Sequence, residues 1–125
     1  MKNDSFPYFV THQRDLTQVE ADLLGFMSGQ IPTKLSVSEQ PKIVARRGCG
    51  ACPTVLFGRT LDDEPVTSSN SNIVGTWSGR ASNGTLVGIS LWAKDGFPTE
   101  LEAWSVDGGE VETWPPLDSI EPSSG

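Results

Sequence analysis

Histidine is almost missing from this chain: His12 is the single imidazole among 125 residues, and neither a Gly-x-Ser-x-Gly elbow nor a His-Glu-x-x-His motif occurs. Nucleophilic triads and zinc-hydrolase helices therefore have no support. Cysteine is scarce as well, with only Cys49 and Cys52, far below the density of a secreted disulfide scaffold. Long apolar runs are absent. The longest, such as Thr54-Val55-Leu56-Phe57, are strand-sized and fall far short of the ~20 residues of a membrane span. The opening residues, Met1 to Pro7, hold no apolar stretch before a small-residue cleavage site. With so few cysteines, these features lead to the expectation of a cytoplasmic protein with no membrane segment.

Positive charge is also in short supply. Nine Lys and Arg stand against sixteen Asp and Glu, a formal net charge of −7, whereas a nucleic-acid binder must neutralise phosphates with clustered bases. The one basic cluster is Arg46-Arg47, with Lys42 and Arg59 nearby. The expectation is no direct contact with nucleic acid, and an acidic surface suited to a basic protein partner. Gly48-x-Gly50 lacks the remainder of any phosphate-binding fingerprint.

What is present is a globular composition, 36% apolar with four Trp and five Phe, in a length that fits one domain spanning residues 1–125. The first fifteen residues read as an extended lead-in. Thr17-Gln18-Val19-Glu20 has the form of a capping box, so a helix is predicted from about residue 17 to 28, ended by Gly29 and Pro32. Val19, Leu23, Phe26 and Met27 recur at helical spacing and are its predicted core stripe. Residues 42–47 and 54–57 read as strands on either side of Gly48-Cys49-Gly50-Ala51-Cys52-Pro53, and 62–72 as a long polar loop.

From Ile73 onward, apolar runs are punctuated by Asn83-Gly84, Asp95-Gly96 and Asp107-Gly108, the dipeptides of tight hairpin turns. They predict strands at 73–80, 85–93, 99–106 and 110–114, followed by a proline-broken tail pinned by Leu117 and Ile120. The fold class is thus α+β, an N-terminal helix packed on an antiparallel β-meander of four to six strands.

Period-2 alternation sorts the meander into two faces. Val87, Ile89 and Leu91 share an aliphatic face with Leu101 and Ala103, which should carry the helix. The opposite face holds Gly88, Ser90 and Trp92 on one strand and Glu100, Glu102 and Trp104 on the next. Aromatic anchors inside an acidic rim have the composition of binding hot spots. Trp92, Glu100, Glu102, Trp104 and Asp107 are therefore the candidate binding residues for a protein partner.

Cys49-Gly50-Ala51-Cys52 offers two thiolates at zinc-knuckle spacing, so Cys49 and Cys52 are candidate metal ligands and zinc the candidate cofactor. A second ligand pair is lacking. A dithiol redox reading needs the first cysteine at a helix N-terminus, but Thr-Val-Leu-Phe favours a strand. The bland alternative is a tight turn that needs small residues. Glu100 and Glu102, about 7 Å apart by strand rise, also admit a carboxylate pair for hydrolysis, although solvated sheet faces commonly carry such acids.

Two segments, Cys49-Gly50-Ala51-Cys52-Pro53-Thr54-Val55 and residues 96–122 with Glu100-Leu101-Glu102-Ala103-Trp104-Ser105, Asp107-Gly108 and Pro116-Leu117-Asp118-Ser119, resemble a group of small uncharacterised bacterial proteins. In that group a Cys-rich, Pro-terminated turn precedes a strand, and an apolar-Glu, aromatic, Asp-Gly hairpin closes the domain. The resemblance spans about residues 15–122 and implies a bacterial or phage origin. It implies no activity. The leading expectation is a non-enzymatic acidic binding protein, of immunity type or a phage-encoded inhibitor. A metal-binding or dithiol redox protein is the alternative.

Overall fold

The computed structural model describes residues 9–31, 35, 40–47, 53–66 and 70–122. Among them run β1 (Phe9–Arg14), α1 (Gln18–Ser28), β2 (Lys42–Arg47), β3 (Val55–Gly58), β4 (Asn72–Arg80), β5 (Leu86–Lys94), β6 (Phe97–Ser105), a 3-10 turn at Leu117–Ser119 and β7 (Glu121–Pro122). The strands form one antiparallel sheet in the order β1-β2-β3-β6-β5-β4-β7. It is an α+β fold dominated by its sheet, with seven strands rather than four to six. Two three-stranded meanders, β1-β2-β3 and β4-β5-β6, are joined through β3 and β6. No helix among the described residues is long and apolar enough to cross a membrane.

Local chemistry explains the elements that the sequence foretells. Thr17 caps α1: its hydroxyl accepts from the Glu20 amide at 3.2 Å, and the Glu20 carboxylate accepts from the Thr17 amide at 2.8 Å. Asp95 and Gly96 both have positive φ, 52° and 80°, the type I′ geometry that matches the strand twist between β5 and β6. At the β4–β5 connection only Gly84 has positive φ, 90°. The Gly84 amide donates to Ala81 O and the Ala81 amide to Thr85 O, which makes a three-residue loop with a bulge.

The helix packs differently from its predicted stripe. Glu20, Leu23, Leu24 and Met27 are buried, while Val19 is 54% exposed and Phe26 only partly buried. The stripe is turned by about one residue because Glu20 faces inward. Arg14 of β1 donates to both of its carboxylate oxygens, at 2.7 and 2.9 Å, and this pairing orients the first turn. Leu23, Leu24 and Met27 join Ile43, Val55, Phe57, Trp77, Val87, Ile89, Leu91 and Leu101 in the main core. The helix therefore joins the main core through a different set of its residues from the predicted stripe.

Residues 110–114 form no strand. β6 has β5 on one side, and its other edge is taken by β3, with Val55 opposite Leu101 and Leu56 opposite Glu100. Thr54 extends that coverage, since its hydroxyl accepts from the Ala103 amide at 2.9 Å. A fourth meander strand has nowhere to pair. The chain instead turns back at Gly108 (φ 90°) and passes the β4–β5 turn, where Asn83 Nδ2 donates to Glu110 O at 3.4 Å. The tail then packs as anticipated through Ile120, which is buried, whereas Leu117 stays 37% exposed. β7 closes the edge of β4 with only two residues, and its Pro122 offers no amide for further pairing.

Candidate functional site

Register places four of the candidate residues, Trp92, Glu100, Glu102 and Trp104, on one sheet face. Gly88 lies opposite Trp104, Ser90 opposite Glu102 and Trp92 opposite Glu100, and residues paired in this way share a face. On the neighbouring strand Ile73 lies opposite Trp92, Thr76 opposite Ser90 and Ser78 opposite Gly88. The parity read from the sequence for these two strands therefore holds, and β4 continues the same face.

The two indoles interlock with the polar residues between them. Trp104 Nε1 donates to Ser90 Oγ at 3.3 Å, so the indole reaches across to β5 rather than standing off the sheet. Its ring lies on Gly88, where an added Cβ would overlap Cε2, Cζ2 and Cη2 of Trp104. A glycine here lets the ring rest directly on backbone, the cross-strand aromatic cover found over sheet glycines. Trp92 Nε1 donates to Glu102 Oε1 at 2.9 Å, a charge-assisted bond that fixes the carboxylate beside the ring. Glu102 thus sits between the two indoles. Trp104 nevertheless remains 43% exposed, with Ile73 at 49% and Val106 at 46% on the same side.

The face is not uniform along the sheet. Toward β2 and β3 it is closed, with Val44, Ala45 and Leu56 forming a small second cluster and Glu100 wholly buried beside it. Glu100 consequently belongs to the packed half and is withdrawn from the accessible surface, contrary to its expected place in an acidic rim. Its sheet parity is as predicted, but parity says nothing about which half of a face is covered. Asp107 is exposed, yet its carboxylate is engaged locally. It accepts from the Gly109 amide at 3.2 Å and the Leu86 amide at 3.3 Å, and these bonds hold it below the usual carboxylate range. It fastens the end of β6 to the start of β5, which is a structural role. Of the five candidate binding residues, Trp92, Glu102 and Trp104 form one open constellation. Cys49 and Cys52 lie outside the described residues. Among the described residues, no group of three or more His, Cys, Asp or Glu is placed to hold a metal ion.

Sequence reasoning missed a second concavity, of about 360 Å³, lined by Arg14, Glu20, Arg46, Thr54, Glu112 and Trp114 among others. An adjoining cleft of about 310 Å³ shares Val19 and Trp114 with it and runs toward Pro116 and Leu117. Several polar groups of the 360 Å³ concavity are committed internally: Arg14 pairs with Glu20, and the Thr54 hydroxyl bonds the Ala103 backbone. His12 Nε2 accepts from Arg14 Nε at 3.1 Å. The sequence held no signal for this concavity, because a helix stripe drawn from periodicity assigns Val19 to the core, whereas the structure leaves it exposed.

No protein-family model, no curated protein and no solved structure matches this chain.

The seating of Trp104 on Gly88 makes a direct prediction. Gly88→Ala should lift the ring and break the bond to Ser90, at a stability cost of about 1 kcal/mol, because an exposed ring can yield where a core ring cannot. The Trp104 indole N–H resonance should move toward its solvent-exposed position and exchange faster. An unchanged resonance would show that the ring does not rest there.

Proposed function

We propose that this protein is a non-enzymatic binding module that docks a basic protein partner against the open face of β4, β5 and β6, acting as an inhibitor of immunity or phage type. The observation that carries this reading is Trp104. Its indole is held by a hydrogen bond and a glycine seat, yet 43% of the residue remains open to solvent. Covering Gly88 accounts for the seat of the ring but not for its open area, and a preorganised ring suits a docking face, since less rotamer freedom is then lost on binding. Aromatic anchors of this kind dominate binding energy at protein interfaces. The net charge of −7 supports a basic partner by steering its approach. The short, proline-bearing β7 speaks for side-chain docking on the face over strand addition at that edge.

The test compares two baits. Wild-type protein and Trp104→Ala are immobilised and exposed to a lysate of the source organism, and a protein retained by the first is then titrated against both. Trp104→Ala should weaken binding by about 30-fold or more, the hot-spot range of ~2 kcal/mol and above. Its stability should change by no more than about 1 kcal/mol, as at other exposed positions. Equal affinity for the two baits, or a captured protein as acidic as this one, would overturn the reading.

A further inference from the structure

The constellation around Glu102 has a chemistry more specific than an acidic face. Ser90 and Glu102 are cross-strand partners, Trp104 reaches over to Ser90, and Trp92 donates to Glu102 Oε1. The carboxylate is therefore bracketed by two indoles, each tied in place. One Glu102 oxygen is taken by Trp92, which leaves Oε2 as a second acceptor on a half-buried side chain. The Trp104 ring is packed on Gly88 through one of its faces, so its other face is the one turned outward. A flat π-face next to a fixed carboxylate combines two attractions for the same ligand. A cation is drawn to the ring quadrupole and to the negative oxygen together.

Two of the protein's own arginines nearby are engaged elsewhere, and Lys94 stands exposed at the end of β5. Arg80 is exposed on this face, but its Nη1 donates to Gly84 O at 2.6 Å and turns it to the β4–β5 loop. Arg59 lies over the Phe97 ring, 4.1 Å from the centroid. Glu121, opposite Ser78, adds a further carboxylate to the same face.

Resting on the docking reading above, we infer that this site receives one arginine side chain of the partner, its guanidinium laid on Trp104 and hydrogen-bonded to Glu102. Arginine suits the site better than lysine because a planar, weakly hydrated guanidinium stacks on an indole while its edge N–H groups reach a carboxylate in the plane of stacking. Trp92 is a positioning residue here. It holds the Glu102 carboxylate and contributes no contact of its own to the guanidinium.

The probe is the capped tripeptide acetyl-Gly-Arg-Gly-amide, titrated into the full-length protein while the four indole N–H resonances are followed. Those of Trp104 and Trp92 should shift saturably, and those of Trp77 and Trp114 should stay. The same peptide with neutral citrulline in place of arginine should leave all four unmoved. Glu102→Gln retains an acceptor for Trp92 but removes the charge, and should weaken the arginine peptide by about 3- to 10-fold, the scale of a partly exposed charge contact. Equal shifts with citrulline, or full affinity in Glu102→Gln, would overturn the inference. If the arginine peptide is silent while Trp104→Ala still weakens a captured partner, the arginine site falls and the docking face stands. If both are silent, both fall.

Discussion

Replacing Trp77 by alanine is expected to cost about 3–5 kcal/mol of folding stability, a large part of the roughly 5–15 kcal/mol that holds a domain of this size together. Trp77 is 2% exposed in the middle of β4 and belongs to the main core. Its Nε1 donates to Gln30 Oε1 at 2.9 Å, just beyond the C-terminus of α1. Its ring tip fills the space over Gly75, where an added Cβ would come within 2.5 Å of Cη2, and Ile31 closes the same site at 2.8 Å. One side chain thus ties the end of the helix to the sheet. Truncation leaves a cavity in the main core and removes the tie to Gln30, whose exposed carbonyl turns to water instead. Trp77→Phe keeps most of the apolar volume and should recover more than half of the loss. Denaturant unfolding of the three proteins checks this, and a Trp77→Ala change below about 1 kcal/mol would show that the core collapses around the gap.

The Arg14–Glu20 pair should give the second largest effect, with a defined pH dependence. Glu20 is 4% exposed. Burial, the largest single influence, pushes its carboxyl up, but the Arg14 hydrogen bonds, the Thr17 amide and the Arg14 charge together outweigh it and leave the group below its ordinary value of 4.5. A depressed carboxyl contributes stability that is fully present above the unfolded value and is lost as pH falls through the folded one. Glu20→Gln should therefore destabilise by about 2 kcal/mol at neutral pH, less than a fully buried pair because a third of the Arg14 side chain is exposed. The gap between wild type and variant should close as pH drops from about 5 toward 2. A gap that stays constant over that interval would mean that the charge of Glu20 is not what stabilises the first turn.

The two predictions separate tryptophans that composition treats alike. Trp77 and Trp104 each sit in a strand of alternating pattern, each lies against a glycine and each donates from Nε1. One should cost the fold about 3–5 kcal/mol when removed, the other no more than about 1 kcal/mol. The difference lies in which sheet face each occupies and whether anything is stacked on it. α1 covers the first face at Trp77, and the second is open at Trp104.

Much of this is legible in the sequence. The capping box at Thr17 and Glu20, the Asp95-Gly96 turn and the shared face of Trp92, Glu102 and Trp104 all follow from features that act over a few residues. Capping uses side chains three apart, positive φ is a property of one or two residues, and strand parity repeats every second position. These constraints hold whatever the rest of the chain does.

Tertiary structure decided the remainder. β1 became a strand because β2 offered it an edge, and residues 110–114 did not because the edge of β6 was taken by β3 and Thr54. Glu20 turned inward because Arg14, from another element, met it there. Glu100 was buried and Glu102 left open although they stand two residues apart on one face, since cover depends on which distant segments arrive above each. Pairing partners, strand order and cover are set by contacts far apart in the chain, whose free energy depends on what else is already bound at that place. Local pattern therefore told which side chains would stand together, and only the assembled sheet told which of them would meet solvent.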